Sequence, residues 1–176
     1  MRLAAFAAVV LVAAGVGAGS CGPVPGSGAS LVGREAPWFR LARTDGAETT
    51  LEDVMGEKAT LIDFWATWCS PCIAELPYLQ AVAQKYRDHG LGVVGVVLDE
   101  NAAKVAPELM AATGVTYPNL VGNAEVEMAY GIQVFPTLVL LDDAGRVVRM
   151  NRGTLDHAEL ERWVEEALGH GTEDGA

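Results

Sequence analysis

A mixed α/β domain is the fold class this chain predicts, and three observations predict it. Thr60 to Ala66, Leu91 to Leu98 and Thr137 to Leu141 are short, nearly continuous apolar and β-favouring runs, as expected of strands covered on both faces. Between the first two, Cys72, Leu76, Leu79, Ala83 and Tyr86 are spaced by four, three, four and three residues and lie along one stripe of a helix. Strand, helix and second buried strand make a βαβ unit, which is parallel and right-handed in nearly all known cases.

The 176 residues allow one domain plus attachments, and 51% hydrophobic with 20% charged residues is ordinary for a globular core. A net charge of −11, with the acids dispersed along the chain, repels phosphate backbones and argues against a nucleic-acid partner.

Residues 1–20 read as an export signal. Arg2 is followed by an uncharged run from Leu3 to Val16 and a small-residue cleavage region ending at Ser20. The run is shorter than the ~20 apolar residues of a spanning helix. Gly, Pro and Ser dominate Gly22 to Ser30, so residues 21–32 form a tether that cannot bury enough apolar surface to order itself.

The folded domain is expected over residues 33–170, with 171–176 as a disordered tail. Trp38 to Ala42 and Glu48 to Leu51 flank the turn Thr44-Asp45-Gly46, an amino-terminal hairpin, and Leu51 to Gly56 makes one helical turn. After the βαβ unit a helical stretch falls within Asn101 to Thr113, where Pro107 either opens the helix or kinks it. Ala124 to Tyr130 is a short helix before Gly131. Thr137 to Asp142 and Arg146 to Met150 form a hairpin around Asp143-Ala144-Gly145. The last helix carries the stripe Leu160, Trp163, Val164, Ala167 and Leu168, with Asp156 and Glu159 as a capping pattern and Gly169 after its end.

The chemistry centres on Phe64 to Cys72, which reads Phe-Trp-Ala-Thr-Trp-Cys-Ser-Pro-Cys. Two cysteines separated by two residues can exchange between a dithiol and a disulfide. The helix starts at Cys69 or Ser70, because Pro71 is tolerated in a first turn where its missing N–H costs nothing. Cys69 then sits at the positive end of the helix, where thiol pKa values fall from ~8.5 to ~3.5–7.5. Cys72 belongs to the buried stripe. Cys69 is thus presented to solvent as nucleophile and Cys72 resolves the mixed disulfide. A zinc site needs a second ligand pair, and His89, His157 and His170 are isolated residues expected at the surface, so no metal is expected. Haem attachment requires His after the second cysteine, where this chain has Ile73. A purely structural bridge closing so short a loop would constrain the unfolded chain little. Redox exchange is the favoured use.

Trp68-Cys69-Ser70-Pro71-Cys72 after Asp63-Phe64-Trp65-Ala66 resembles the thioredoxin superfamily. Ala36-Pro37 with Phe39, Glu75-Leu76-Pro77, and Tyr130-Gly131-Ile132 leading to Phe135-Pro136-Thr137 resemble its exported TlpA/ResA branch of membrane-tethered thiol-disulfide oxidoreductases. The likeness spans residues 33–168. It implies a thioredoxin fold, a mixed central sheet flanked by helices, with an N-terminal β-hairpin extension and a central helical insert. Pro136 matches the family's cis-proline, which lies against the active-site disulfide and offers backbone to an extended substrate segment; trans–cis statistics alone would not indicate it.

Asp63 matches the buried aspartate of thioredoxin. In an apolar strand a carboxylate is costly to ionise, and a raised pKa suits Asp63 to moving a proton to or from Cys72. The competing reading has it salt-bridged to Lys58 or wetted by solvent. Glu100 aligns with an acidic residue that the branch keeps near its active site to tune the cysteines and help bind partners; alternatively it caps the next helix. Trp65 is expected to be a partly buried core residue and Trp68 a surface residue flanking the motif, with Ser70 and Pro71 between the cysteines. Pairing Cys69 with Cys72 leaves Cys21 over. Ala18-Gly19-Ser20-Cys21 resembles a bacterial lipobox, with Ala18 where Leu is preferred, so Cys21 is either lipidated or a spare thiol after ordinary cleavage at Ala18.

The resemblance implies an exported enzyme that reduces client disulfides, with a membrane thiol-reducing donor restoring its dithiol. Apocytochrome c and exported metalloproteins are the expected clients. The expected location is the outer face of the cytoplasmic membrane or the periplasm, by lipid anchor, with no cofactor beyond the Cys69–Cys72 pair. The alternatives are an oxidase or isomerase on the same fold, which Ser70-Pro71 disfavours by its closeness to the Gly-Pro of reducing thioredoxins, and a thiolate module for copper(I). Peroxidase chemistry, which expects a lone cysteine, is weakened by the second one.

Overall fold

The computed structural model describes residues 30–169. The expected signal, Cys21, most of the tether, His170 and the tail lie outside the described residues. In chain order the elements are β1 (Arg40–Arg43), β2 (Glu48–Thr50), α1 (Leu51–Val54), β3 (Ala59–Trp65), α2 (Ser70–Tyr86), β4 (Leu91–Val97), α3 (Ala102–Thr113), β5 (Asn119–Val121), α4 (Ala124–Tyr130), β6 (Thr137–Asp142), β7 (Val147–Arg152) and α5 (His157–Ala167).

One seven-stranded sheet runs in the order β2-β1-β5-β4-β3-β6-β7. The predicted βαβ unit is present, with β3 and β4 parallel in the register Ala59 to Leu91 through Trp65 to Val97. On the other side of β3 the final hairpin adds antiparallel through β6. The amino-terminal hairpin joins the opposite end through β5, which pairs parallel with β4 and antiparallel with β1. β5 is an element the sequence reading lacked. Leu31 is buried, and Gly33 donates its N–H to the Val147 carbonyl (2.8 Å).

Because β3 and β4 are central, both faces of the sheet are buried. Leu61 and Trp65 of β3 and Val93 and Val97 of β4 share a core with Cys72, Leu76 and Leu79 of α2 and with Leu160 and Val164 of α5. Ile62, Phe64, Val94 and Val96 point the other way, to Leu41, Leu51, Val126 and Tyr130. Each fully buried aliphatic or aromatic side chain contributes about 1.5–3 kcal/mol.

Two helices refine the sequence reading. Pro107 lies inside α3 rather than opening it, and its missing N–H deprives the Ala103 carbonyl of a helical partner. At α5, Asp156 caps by accepting from the N–H groups of Ala158 and Glu159. The Glu159 carboxylate turns outward to Arg162 and the Trp163 indole, so the expected box is half made.

Candidate active site

Cys69 is the N-cap of α2. Its Sγ accepts from the Cys72 N–H (3.3 Å), its carbonyl from Ile73 (3.1 Å), and its own N–H donates to the Ala66 carbonyl (3.0 Å). Pro71 occupies the first turn, where no N–H is required. Cys69 and Cys72 are joined as a disulfide. Sequence geometry predicts an exposed Cys69, but with the disulfide formed the two cysteines are 4% and 1% exposed, both packed in the core of α2 and β3. Ser70 and Pro71 are exposed.

The loop into the helix is tied to the end of β4. The N–H and hydroxyl of Thr67 both donate to the Asp99 carboxylate (2.7 and 3.1 Å), which also accepts from the Asn101 N–H (2.8 Å). Asp99 is therefore the acid that braces the motif loop. Glu100 stands exposed beside it, and the N-cap of α3 is Asn101, so Glu100 does not cap that helix.

Phe135–Pro136 is a cis peptide and Pro136 is buried. Its loop is clamped by the Thr137 hydroxyl, which donates to the Val134 carbonyl, and by the Gly153 N–H, which donates to the Pro136 carbonyl (both 2.7 Å). Trp68, 67% exposed, meets Phe135 edge-on at 5.6 Å, and Val134 is 45% exposed. Apolar surface thus adjoins both the motif and the cis-proline loop.

Behind the disulfide the core becomes polar. Asp63, 2% exposed, sits in mid-β3 between Gly95 and Leu138; solvent does not wet it and Lys58 forms no ion pair with it. Burial pushes its pKa well above the carboxylate range, and the charge of Glu75 adds to the rise. Glu75, one helical turn after Cys72, is buried and pushed up to about 7 by that burial. Tyr117 is raised by burial and then by Asp63 and Glu75. Among the described residues, the buried side-chain atoms without a hydrogen-bond partner are Asp63 Oδ1, both Glu75 oxygens and the Tyr117 hydroxyl.

A second polar chain fixes this region from the side. The Trp65 indole N–H donates to Asn119 Oδ1 (2.8 Å) and Asn119 Nδ2 donates to the Tyr117 carbonyl (3.1 Å). Trp65 is completely buried, not partly as the sequence suggests. The indole–amide bond crosses over Gly95, where a Cβ would lie 2.0 Å from Asn119 Oδ1 and 3.1 Å from the indole nitrogen. Only glycine fits there.

Tyr117 escaped the sequence reading, and Glu75 entered it only within Glu75-Leu76-Pro77, with no role assigned. For Glu75 a signal existed: it lies three residues after Cys72, on the flank of the predicted stripe. Among the described residues no group of three or more His, Cys, Asp or Glu side chains could hold a metal ion. His157 stacks on Tyr78 at 3.5 Å and His89 packs edge-on to Tyr86.

A vicinal cysteine pair at the start of a helix that follows the central strand of a mixed sheet, with a cis-proline leading the neighbouring strand, defines a thiol-disulfide oxidoreductase of thioredoxin fold. Comparison with known proteins agrees. The Redoxin family matches residues 31–167. The thioredoxin-like protein YneN of Bacillus subtilis is 32% identical over 135 residues, 76% of this chain and 78% of that one. The thiol-disulfide oxidoreductase ResA of Geobacillus thermodenitrificans is 33% identical over 141 residues, 78% of each chain. Among solved structures, a putative thiol:disulfide interchange protein DsbE from Chlorobium tepidum superposes with a TM-score of 0.70 at 30% identity, over 77% of this chain and 96% of that one. The chain belongs to the Redoxin family, as a ResA-like member of the thioredoxin superfamily.

Proposed function

We propose that this oxidoreductase is an exported, lipid-anchored reductant of client disulfides. Cys69 attacks the client disulfide, Cys72 resolves the mixed disulfide, and a membrane thiol-reducing donor returns the pair to the dithiol. The observation that carries the direction is the pair of buried acids, Asp63 and Glu75, on the disulfide side of the sheet with no cation among the charges that act on them. Strong oxidants of this chemistry owe their potential to a stabilised reduced form. Acids with no cation among them give a nearby thiolate no such stabilisation, which supports the lower potential of a reductant.

Trp68, Val134 and Phe135 offer apolar contact to an unfolded client segment, which suits apocytochrome c with its haem-attachment cysteines awaiting reduction. Other exported metalloproteins would meet the same surface. The signal-like residues 1–20 and Cys21 support the anchor, and with it a position on the outer face of the cytoplasmic membrane or in the periplasm.

The deciding experiment is the reduction potential of Cys69–Cys72, equilibrated against graded thiol buffers. A value near or below about −270 mV, that of thioredoxin, supports the reductant; one near about −120 mV, that of a strong oxidant, moves the assignment to disulfide formation. Mass spectrometry of the mature amino terminus tests the anchor: a lipid-modified Cys21 as first residue supports it, and Gly19 first or an unmodified Cys21 ends it.

A further inference from the structure

We propose that Tyr117 is a positioning residue for the proton that leaves Cys72: its hydroxyl donates a hydrogen bond to the carboxylate, of Asp63 or Glu75, that receives this proton. The inference rests on the exchange chemistry above but not on its direction.

Among the described residues, the four unpartnered buried side-chain oxygens belong to just these three residues. Asp63 lies two residues from both Leu61 and Trp65 and so shares their face of β3, and those two share a core with Cys72 and Tyr117, so Asp63 faces α2. Glu75 is on the buried side of α2, one turn from Cys72. An ionised carboxylate only accepts hydrogen bonds; the other carboxyl of the pair can donate one while it keeps its proton, and any further donor, or any donor once both are ionised, must come from elsewhere. From α2 the titratable groups on this side are Cys72 and Glu75, from β3 Asp63, and from the segment before β5 Tyr117. The β4 and β6 neighbours of Asp63 are Gly95 and Leu138. Asp53 and Arg87 line an open surface cavity that Tyr117 also borders, but neither figures among the charges acting on the three. Tyr117 is the donor of the set that does not itself give up or receive the proton in the exchange. Its backbone is held by Asn119, and through it by Trp65, independently of either carboxyl group.

In the step concerned, Cys69 carries the client sulfur as a mixed disulfide. The Cys72 thiol passes its proton to the carboxylate and its sulfur attacks Cys69 Sγ. The Cys69–Cys72 bond forms, the bond from Cys69 to the client sulfur breaks, and that sulfur leaves with the electron pair and takes a proton from water. Over both exchanges the client gains two electrons and the cysteine pair loses two. A hydrogen bond to the charged carboxylate lowers its pKa, so the base is available closer to neutral pH.

The test uses the full chain in its reduced form with oxidised glutathione as the disulfide, following by rapid mixing the second phase, in which Cys72 displaces glutathione from Cys69, between pH 5 and 9. Tyr117→Phe is expected to move the midpoint of that profile up by about one unit, so that the phase is about tenfold slower on its acid side while the alkaline plateau is unchanged. In an Asp63→Asn/Glu75→Gln background the same substitution is expected to add no shift, because the groups it acts through are gone. An unchanged midpoint in Tyr117→Phe, an equal slowing at every pH, or an undiminished shift in the carboxyl-free background each overturns the proposal while leaving the exchange chemistry standing. Failure of wild type to form any glutathione adduct on Cys69 overturns both.

Discussion

The two faces of the sheet are equally buried and differently satisfied. On the face toward the amino-terminal hairpin and α4, the core is apolar, and its tyrosine hydroxyl, on Tyr130, donates to the Pro37 carbonyl at 2.8 Å. On the face toward α2 and α5, four buried side-chain oxygens among the described residues lack partners, and the disulfide lies on that side. Buried polar groups are ordinarily paired, since an unpaired one costs about 1–3 kcal/mol. The contrast teaches where stability has been given up: the face that carries chemistry keeps proton-holding groups that the other face does without.

The comparison is broken most completely by removing the resolving sulfur. Cys72→Ser is expected to reduce multiple-turnover disulfide reduction to background and to leave a stable mixed disulfide on Cys69, read by turnover assays and mass spectrometry of the trapped adduct. Sustained turnover would mean that the roles of the two cysteines are assigned wrongly.

On the quiet face the expected effect is large in stability and absent in chemistry. Leu141 is fully buried there, and Leu141→Ala should cost about 2–5 kcal/mol in denaturant unfolding through lost burial and a residual cavity. The reduction potential of the folded variant should match wild type. A shift beyond about 30 mV, equivalent to about 1.4 kcal/mol for two electrons, would show that the faces are coupled.

Glu75 sharpens the contrast through pH. Its carboxyl releases its proton near the usual 4.5 in the unfolded chain but near 7 in the folded protein, so between those values the folded state binds more protons. Stability must then fall as pH rises through that window, and the loss is complete above it. Asp63, shifted in the same direction, adds to the fall. Glu75→Gln should therefore be more stable than wild type at pH 8, by roughly 1–3 kcal/mol, with a flatter dependence on pH. Urea unfolding at pH 4.5 and 8 checks this, and a wild-type stability that does not decline between them contradicts it.

What the sequence made legible follows from how local each signal is. The buried strands were readable as continuous apolar runs and the α2 stripe by its helical period, and Cys69-Ser70-Pro71-Cys72 carries its helix start within itself. Glu75 was within reach of the same helical phase. β5 was not: three residues between Pro118 and Gly122 carry no period, and their pairing is decided by β4 and β1. Without β5 there is no placing of Tyr117, whose hydroxyl matters only through Asp63 and Glu75, far away in sequence. The cis bond at Pro136 was expected from the resemblance alone, since no local rule separates it from a trans proline.

The smallest effect isolates the satisfaction of a single hydroxyl on each face. Tyr130→Phe removes a donor that is in use and strands the Pro37 carbonyl, so it should cost about 0.5–1.5 kcal/mol. Tyr117→Phe, measured at pH 5 where Asp63 and Glu75 hold their protons, removes a hydroxyl with no partner and should be neutral or slightly stabilising. The two substitutions delete the same atom from the same residue type, and both side chains are buried. Any difference between them in urea unfolding therefore reports hydrogen bonding rather than packing. Equal costs would mean that the Tyr117 hydroxyl is satisfied after all, and the distinction between the two faces would lose its basis.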